Sequence, residues 1–344
     1  MKFRRTLLGL AAVATALATL SGGAMAQAAY KAEYKMSLVL GPPTPWGMAG
    51  KIWSDLVKER TQGRINIKLY PGVSLIQGDQ TREFSALRQG VIDMAVGSTI
   101  NWSPQVKQLN LFSLPFLFPD FAAVDAVTQG APGQEIFKIL DKAGVQPLAW
   151  GENGYREISN SKHAITQPAD LKGLKLRVVG SPLFMDTFTA LGANPTQMSW
   201  ADAQPAMASK AVDGQENPLS VFQAAKLQSV GQKHVTLWGY MNDPLIFVVN
   251  KDVWASWTPE DREIVRQAAI DAGREEIAIA RKGLVEAGKP LVKELETLGV
   301  TVTDLNAEQR KAFADATKAV YTKWKPQIGT NLVDMAEKAI AARK

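Results

Sequence analysis

Between Tyr34 and Leu69 the apolar period changes from two to 3.6 and back to two. Tyr34, Met36, Leu38 and Leu40 alternate with Lys35, Ser37 and Val39, then Gly41-Pro42-Pro43 ends the run. Ala49, Ile52, Trp53, Leu56 and Val57 fall at i, i+3, i+4, i+7 and i+8, one apolar helix face. Gly63 stops that helix, and Ile65, Ile67 and Leu69 alternate again. Strand, helix, strand in this order requires a crossover, so the two strands are parallel and the connection right-handed. A parallel pair needs helices over its faces, which commits the chain to an α/β fold. With 344 residues and 46% hydrophobic content there is material for two domains.

The same alternation continues. Gln80 to Gln89 is expected to be a helix ended by Gly90, and Val91 to Val96 a short buried strand. Its exit, Gly97 to Trp102, lies where open α/β sheets bind ligands. Leu111 to Phe118 is an apolar run that packs between elements. Phe121 to Ala143 is helical with a break at Gly130 to Gly133. Val145 to Trp150 is a strand leading into Gly151 to Arg156, a first crossing between domains; Gly239 to Pro244, between strands Val235–Trp238 and Leu245–Val249, is the second. Helices are expected over Leu183 to Leu191 and Ala201 to Ala211. Thr258 is an N-cap followed by Pro259, Glu260 and Asp261. The helix it starts runs to about Leu298, kinked or split at Pro290. Val300 to Thr303 is a last strand, and Asn306 to Lys344 is helical, with Phe313, Val320 and Trp324 as packing residues.

Several chemistries are excluded. There is no cysteine, hence no disulfide, thiol nucleophile or thiolate metal site. His163 and His234 stand far apart without metal-binding spacing, and are read as surface or strand-flanking residues; no metal or cofactor is expected. No G-x-S-x-G, GxGxxG or GxxxxGK[ST] occurs. The first residues read as an export leader: basic Met1 to Arg5, apolar Leu7 to Leu20, and Ala24-Met25-Ala26 as cleavage site. Removing residues 1–26 takes Lys2, Arg4 and Arg5 and lowers the net charge from +6 to +3, which gives no reason to expect nucleic acid. Leu7 to Leu20 is too short for a comfortable membrane anchor, and the expected compartment is the periplasm.

From Leu171 to Pro218 the chain carries its most pointed chemistry. Leu174 to Val179 alternates as a strand, and Arg177 sits at its end, before Gly180-Ser181-Pro182. Arg177 either pairs with a surface acid or presents its planar fork of donors to a ligand carboxylate. Gly214 to Pro218 has few apolar neighbours and reads as a loop. Nine tryptophans is a high count. Trp53 and Trp254 read as core; Trp46, Trp102, Trp200 and Trp238 stand between Gly, Pro or polar neighbours and are either core or walls of a cleft.

The run "LKGLKLRV…LGANPTQMSWADAQPAMASKAVDGQENP", with "FSALRQGVIDMAVGST" and "LFSLPFLF" upstream, resembles the extracytoplasmic solute-binding subunits of TRAP transporters, the DctP type, over essentially the whole mature chain. The resemblance implies a two-lobe periplasmic-binding-protein-like α/β fold, each lobe a mixed sheet flanked by helices, with a long helix spanning both. Lobe I would hold residues 27–153 and 243–283, lobe II residues 154–242 and 284–344. It implies binding rather than catalysis: a small-molecule carboxylate captured by hinge closure and passed to the small and large subunits of a membrane permease. It assigns the carboxylate clamp to Arg177, with Asn217 on the same ligand, Arg156 in "NGYREISNSK" beside it and Trp200 facing it. Trp46, Ser98, Trp238 and Asn242 complete the candidate site. Where sialate-binding members carry an acid and a base, this chain has Ser98 and Asn101, which implies a smaller organic acid. The rival readings are a binding protein serving a sensor kinase, an ABC-type binding protein of different topology, and a secreted hydrolase, for which no motif speaks.

Overall fold

The computed structural model describes residues 30–286 and 289–343; the expected leader, residues 1–26, lies outside them. In chain order the strands are β1 (Tyr34–Ser37), β2 (Ile67–Tyr70), β3 (Met94–Ser98), β4 (Val145–Tyr155), β5 (Glu157–Asn160), β6 (Lys175–Val178), β7 (Asn194–Gln197), β8 (Gly214–Asn217), β9 (His234–Leu237), β10 (Asn242–Asn250) and β11 (Thr301–Asp304). They form two mixed sheets, ordered β2-β1-β3-β10-β4 and β11-β9-β5-β8-β6-β7. β1 is parallel to β2 and β3, as the opening strand–helix–strand pattern requires, and β10 runs antiparallel to β3 and β4. In the second sheet β5 is antiparallel to β8 and β9, while the other neighbours are parallel.

Leu245 to Val249 is an unbroken apolar run because β10 is buried along its whole length. The helix Pro45–Arg60 and the long helix Pro259–Arg281 pack together over this sheet, and the Trp53 indole N–H donates to the Val265 carbonyl at 3.2 Å. "LFSLPFLF" packs between elements as expected. Leu111, Phe112, Leu114 and Phe118 join the first core, whereas Phe116 sits against Trp238 and Tyr240 of the second. The helix break at Gly130 also holds, between Phe121–Thr128 and Ala131–Lys142. No helix among the described residues is long and apolar enough to cross a membrane.

Four local expectations are corrected. The first crossing is not Gly151 to Arg156: Gly151 to Tyr155 is the end of β4, so the chain changes sheets at the single residue Arg156 and returns through Trp238 to Met241. Gly214 to Asn217 is also a strand, fully buried between β5 and β6, because its polar side chains find partners inside the protein. The helix capped by Thr258 ends at Arg281, and Pro290 starts a separate helix, Pro290–Thr297, at its first turn. The interruption begins upstream of the proline, at Gly283, whose φ of 78° a side chain would resist. Trp254 is only half-buried, with Arg266 over its ring at 5.1 Å; Trp257, three residues on, fills the core instead.

Candidate functional site

The ends of β3, β4, β6 and β8 and the start of β10 converge on one cavity of about 20 Å3. From the first sheet's side come Trp46, Ser98, Asn153, Arg156 and Asp243; from the second come Arg177, Val179, Trp200 and Asn217. This is the placement expected for α/β sheets, whose sites form at the carboxyl ends of parallel strands. A larger cavity of about 530 Å3 lies between the end of the long helix and Ser220 and Gln223, but its charged residues, Lys282, Glu286 and Glu294, are exposed. The smaller one holds the buried charges, and it is the candidate site.

Arg156 occupies the change of sheets and gives four of its five N–H donors to protein partners. Its Nε donates to Glu216 Oε2, its Nη2 to Glu216 Oε1 at 2.9 Å and to the Glu216 carbonyl at 2.8 Å, and its Nη1 to Asp243 Oδ2 at 3.3 Å. Burial opposes its charge, but Glu216 and Asp243 outweigh that and hold its pKa above the ordinary arginine value. Burial likewise pushes the Asp243 carboxyl up, against hydrogen bonds from Ser98 and Asn153. Those donors lie at 2.6 Å (Ser98 Oγ to Oδ1) and 2.9 Å (Asn153 Nδ2 to Oδ2).

Arg177 is the opposite case. It is 1% exposed, yet its Nε donates only to the Met198 carbonyl at 3.0 Å, and Nη2 has no partner among the described residues. No carboxylate among them forms an ion pair with it, so the surface-pair reading does not hold. Burial pushes its pKa down to about 10, with Arg156 adding to the fall and Glu216 resisting it. Its guanidinium lies over the Trp200 ring at 5.6 Å. Asn217, on the buried strand β8, is held by a hydrogen bond from its Nδ2 to Gln215 Oε1.

Six of the eight candidate residues line the cavity: Arg177, Asn217, Arg156, Trp200, Trp46 and Ser98. Trp46 is pinned by its indole N–H on the Val96 carbonyl at 2.6 Å. Trp238 and Asn242 do not line it. Trp238 is fully buried in a cluster with Tyr240, Phe188 and Phe313, and its indole N–H holds the Arg156 carbonyl at 3.0 Å. It supports Arg156 from behind. Asn242 is fully buried at the start of β10. Trp102 is core as well: it packs beneath β3, where a Cβ on Gly97 would come within 1.8 Å of its ring, and donates to Glu83 at 3.0 Å.

Four cavity or near-cavity residues were not read from the sequence: Gln80, Asn153, Glu216 and Asp243. Gln80 spans the two sheets' halves. Its Nε2 donates to Asn101 Oδ1 at 2.7 Å and its Oε1 accepts the Trp200 N–H at 3.0 Å. Glu216 and Asp243 carried one available signal, since each is an acid beside or within a segment the fold buries.

Two sheets, strand ends directed at a buried charged cavity and three chain crossings between them, at Arg156, at Trp238 to Met241 and after Arg281, define a two-lobed solute-binding architecture. The chain belongs to the bacterial extracellular solute-binding proteins, family 7, the DctP family of TRAP periplasmic solute-binding proteins, whose family model matches residues 36–327. It is 35% identical over 270 residues to the 2,3-diketo-L-gulonate-binding periplasmic protein of Escherichia coli K12, covering 78% of this chain and 79% of that one. A TRAP periplasmic solute-binding protein from Ralstonia eutropha H16, solved with bound (S)-2-acetolactate, is 73% identical; the match covers 91% of this chain and 100% of that one with a TM-score of 0.91. The sugar-acid-binding protein of Advenella mimigardefordensis, solved with galactonate, is 27% identical with a TM-score of 0.84, over 90% of this chain and 97% of that one. Family membership makes the chain a binding protein rather than an enzyme, and removes the ABC-type reading.

Proposed function

We propose that this protein captures a small organic acid in the cavity between its sheets and delivers it to the paired membrane subunits of a TRAP-type permease. The observation that carries the reading is Arg177: a buried guanidinium with an unpartnered Nη2, facing a cavity. A carboxylate there supplies a charge-assisted hydrogen bond and the missing counter-charge in a desolvated place. The second N–H of Asn217 Nδ2 adds a donor beside it. Arg156 gives four of its five N–H donors to Glu216 and Asp243 and is charge-paired with both, so it shapes the site's electrostatics while Arg177 takes the ligand. The acetolactate in the 73%-identical relative and the galactonate in the more distant one are both carboxylates.

A cavity of about 20 Å3 between two sheets requires them to part before an acid can enter. Rotation at Arg156, at Trp238 to Met241 and at Lys282 to Gly283 accomplishes this, with lobes of 27–153 plus 243–283 and 154–242 plus 284–344, the last helix, Thr330–Ala341, packing back on the first core. Export to the periplasm with removal of residues 1–26 completes the reading. The test is a thermal-shift and calorimetric screen of small organic acids against the purified protein, repeated with Arg177→Ala. One-to-one binding of at least one acid, abolished by the substitution, supports the proposal; no response to any carboxylate refutes it.

A further inference from the structure

Two buried side-chain polar atoms on cavity-lining residues have no partner among the described residues: Arg177 Nη2, a donor, and Asn153 Oδ1, an acceptor. The orientation of the Asn153 amide follows from its neighbour. Asp243 Oδ2 already receives Arg156 Nη1, so it is an acceptor, and the Asn153 atom 2.9 Å from it must be the NH2 group. The amide oxygen is therefore the atom left over. Asn153 and Asp243 are each 1% exposed, so neither is satisfied by bulk water. An unpaired buried acceptor is costly, and a ligand that donates to it gains what the unliganded site lacks.

The charges add a second constraint. Arg156, Arg177 and Asp243 line the cavity and Glu216 lies behind it on Arg156, two cations and two carboxylates in all. A monocarboxylate on Arg177 leaves one excess negative charge. A second carboxylate on the same ligand would leave two, and would set acceptor against acceptor at Asn153 Oδ1 and Asp243. Repulsion of this kind is how a site excludes a near relative of its ligand.

We infer that Asn153 and Asp243 form a selector that admits monocarboxylates bearing a hydroxyl and rejects dicarboxylates. The ligand's carboxylate lies on Arg177, and its hydroxyl donates to Asn153 Oδ1. Asp243 has two tasks: it orients the Asn153 amide, and its charge turns away a second carboxylate. The inference rests on the organic-acid reading above and assigns the chemistry of the ligand's other end.

The test compares three acids by calorimetry on the purified protein: (S)-2-acetolactate, its deoxy analogue 2-methyl-3-oxobutanoate, and succinate. The expected order places the deoxy analogue about tenfold weaker than acetolactate, the effect of one hydrogen bond to a buried acceptor. Succinate is expected to be at least about a hundredfold weaker. Asn153→Ala brings acetolactate and its deoxy analogue to within about threefold of each other, and Asp243→Asn strengthens succinate binding at least about tenfold. Wild-type protein that binds the hydroxy and deoxy acids equally, or binds succinate as well as acetolactate, overturns the selector while leaving the organic-acid reading intact. Failure of the wild type to bind any acid removes that reading and the selector with it. The wild-type comparison decides the matter even if either variant fails to fold.

Discussion

Arg177 and Arg156 lie in the same cavity, are buried alike, and are predicted to respond to alanine in opposite ways. Arg177→Ala removes one hydrogen bond to the Met198 carbonyl, about 1.5–3 kcal/mol for a charged donor, and the Trp200 contact, about 0.5–2 kcal/mol. It also removes a desolvated cation. The fall of that pKa from 12.5 to about 10 corresponds to about 3 kcal/mol against the charged form. Losses and relief are of similar size, so the melting temperature without ligand is expected to change little. Affinity for the acid falls by about 2–5 kcal/mol, a factor of at least about 30. Lysine will not restore it, because an ammonium lacks the planar fork. Arg156→Ala instead strands Glu216 and Asp243 as buried carboxylates, which costs about 3–5 kcal/mol of stability. That loss shrinks as pH falls and the two acids protonate. Thermal melts of both variants with and without ligand, beside calorimetry, measure the contrast. Near-normal affinity in Arg177→Ala, or unfolding of that variant as severe as in Arg156→Ala, would refute the division of labour.

Gln80→Ala removes the amide that joins Asn101 to the Trp200 N–H across the cleft; stopped-flow measurement is expected to show ligand release about 5–10 times faster with little change in association rate. Burial raises the Glu83 pKa from 4.5 to about 7, so the folded state keeps a proton that the unfolded state releases. The stability from this group is complete below about pH 4.5 and lost as pH rises towards 7, by at most about 3 kcal/mol. Glu83→Gln, which can donate to Ser37 and accept from Trp102, is expected to flatten that slope in denaturant titrations and to be no less stable than wild type at pH 8. Intact mass of protein recovered from the periplasm is expected to correspond to a chain beginning at or near Gln27, and a species retaining Met1 to Ala26 contradicts this.

What could be read in the sequence was local. The parallel pair β1 and β2, the Thr258-Pro259 helix start and the Gly130 break each depend on residues within one turn or one strand. Arg177 was legible because a strand end is a position with a known use. β8 was misread for the converse reason. Its polar residues look like a loop until Arg156, 60 positions earlier, is set against Glu216. Asp243 is likewise explained by Arg156, 87 positions away, and by Ser98, 145 away. Pairing at such separations leaves no periodic trace. The tryptophans show a related limit: Trp102 and Trp238 have polar or glycine neighbours in the chain, yet Trp102 is buried against Phe84 and Trp238 among Phe116, Phe188 and Phe313, all brought in from elsewhere. Flanking residues report the backbone's surroundings poorly when the side chain is large.

The most direct test of the account is a crystal structure of the protein with a bound small organic acid. The ligand carboxylate is expected in the cavity between the sheets, one oxygen about 2.7–2.9 Å from Arg177 Nη2, with Arg156 still paired to Glu216 and Asp243. An acid bound in the larger cavity beside Ser220 and Gln223, or a carboxylate held by Arg156 with Arg177 turned away, would contradict it.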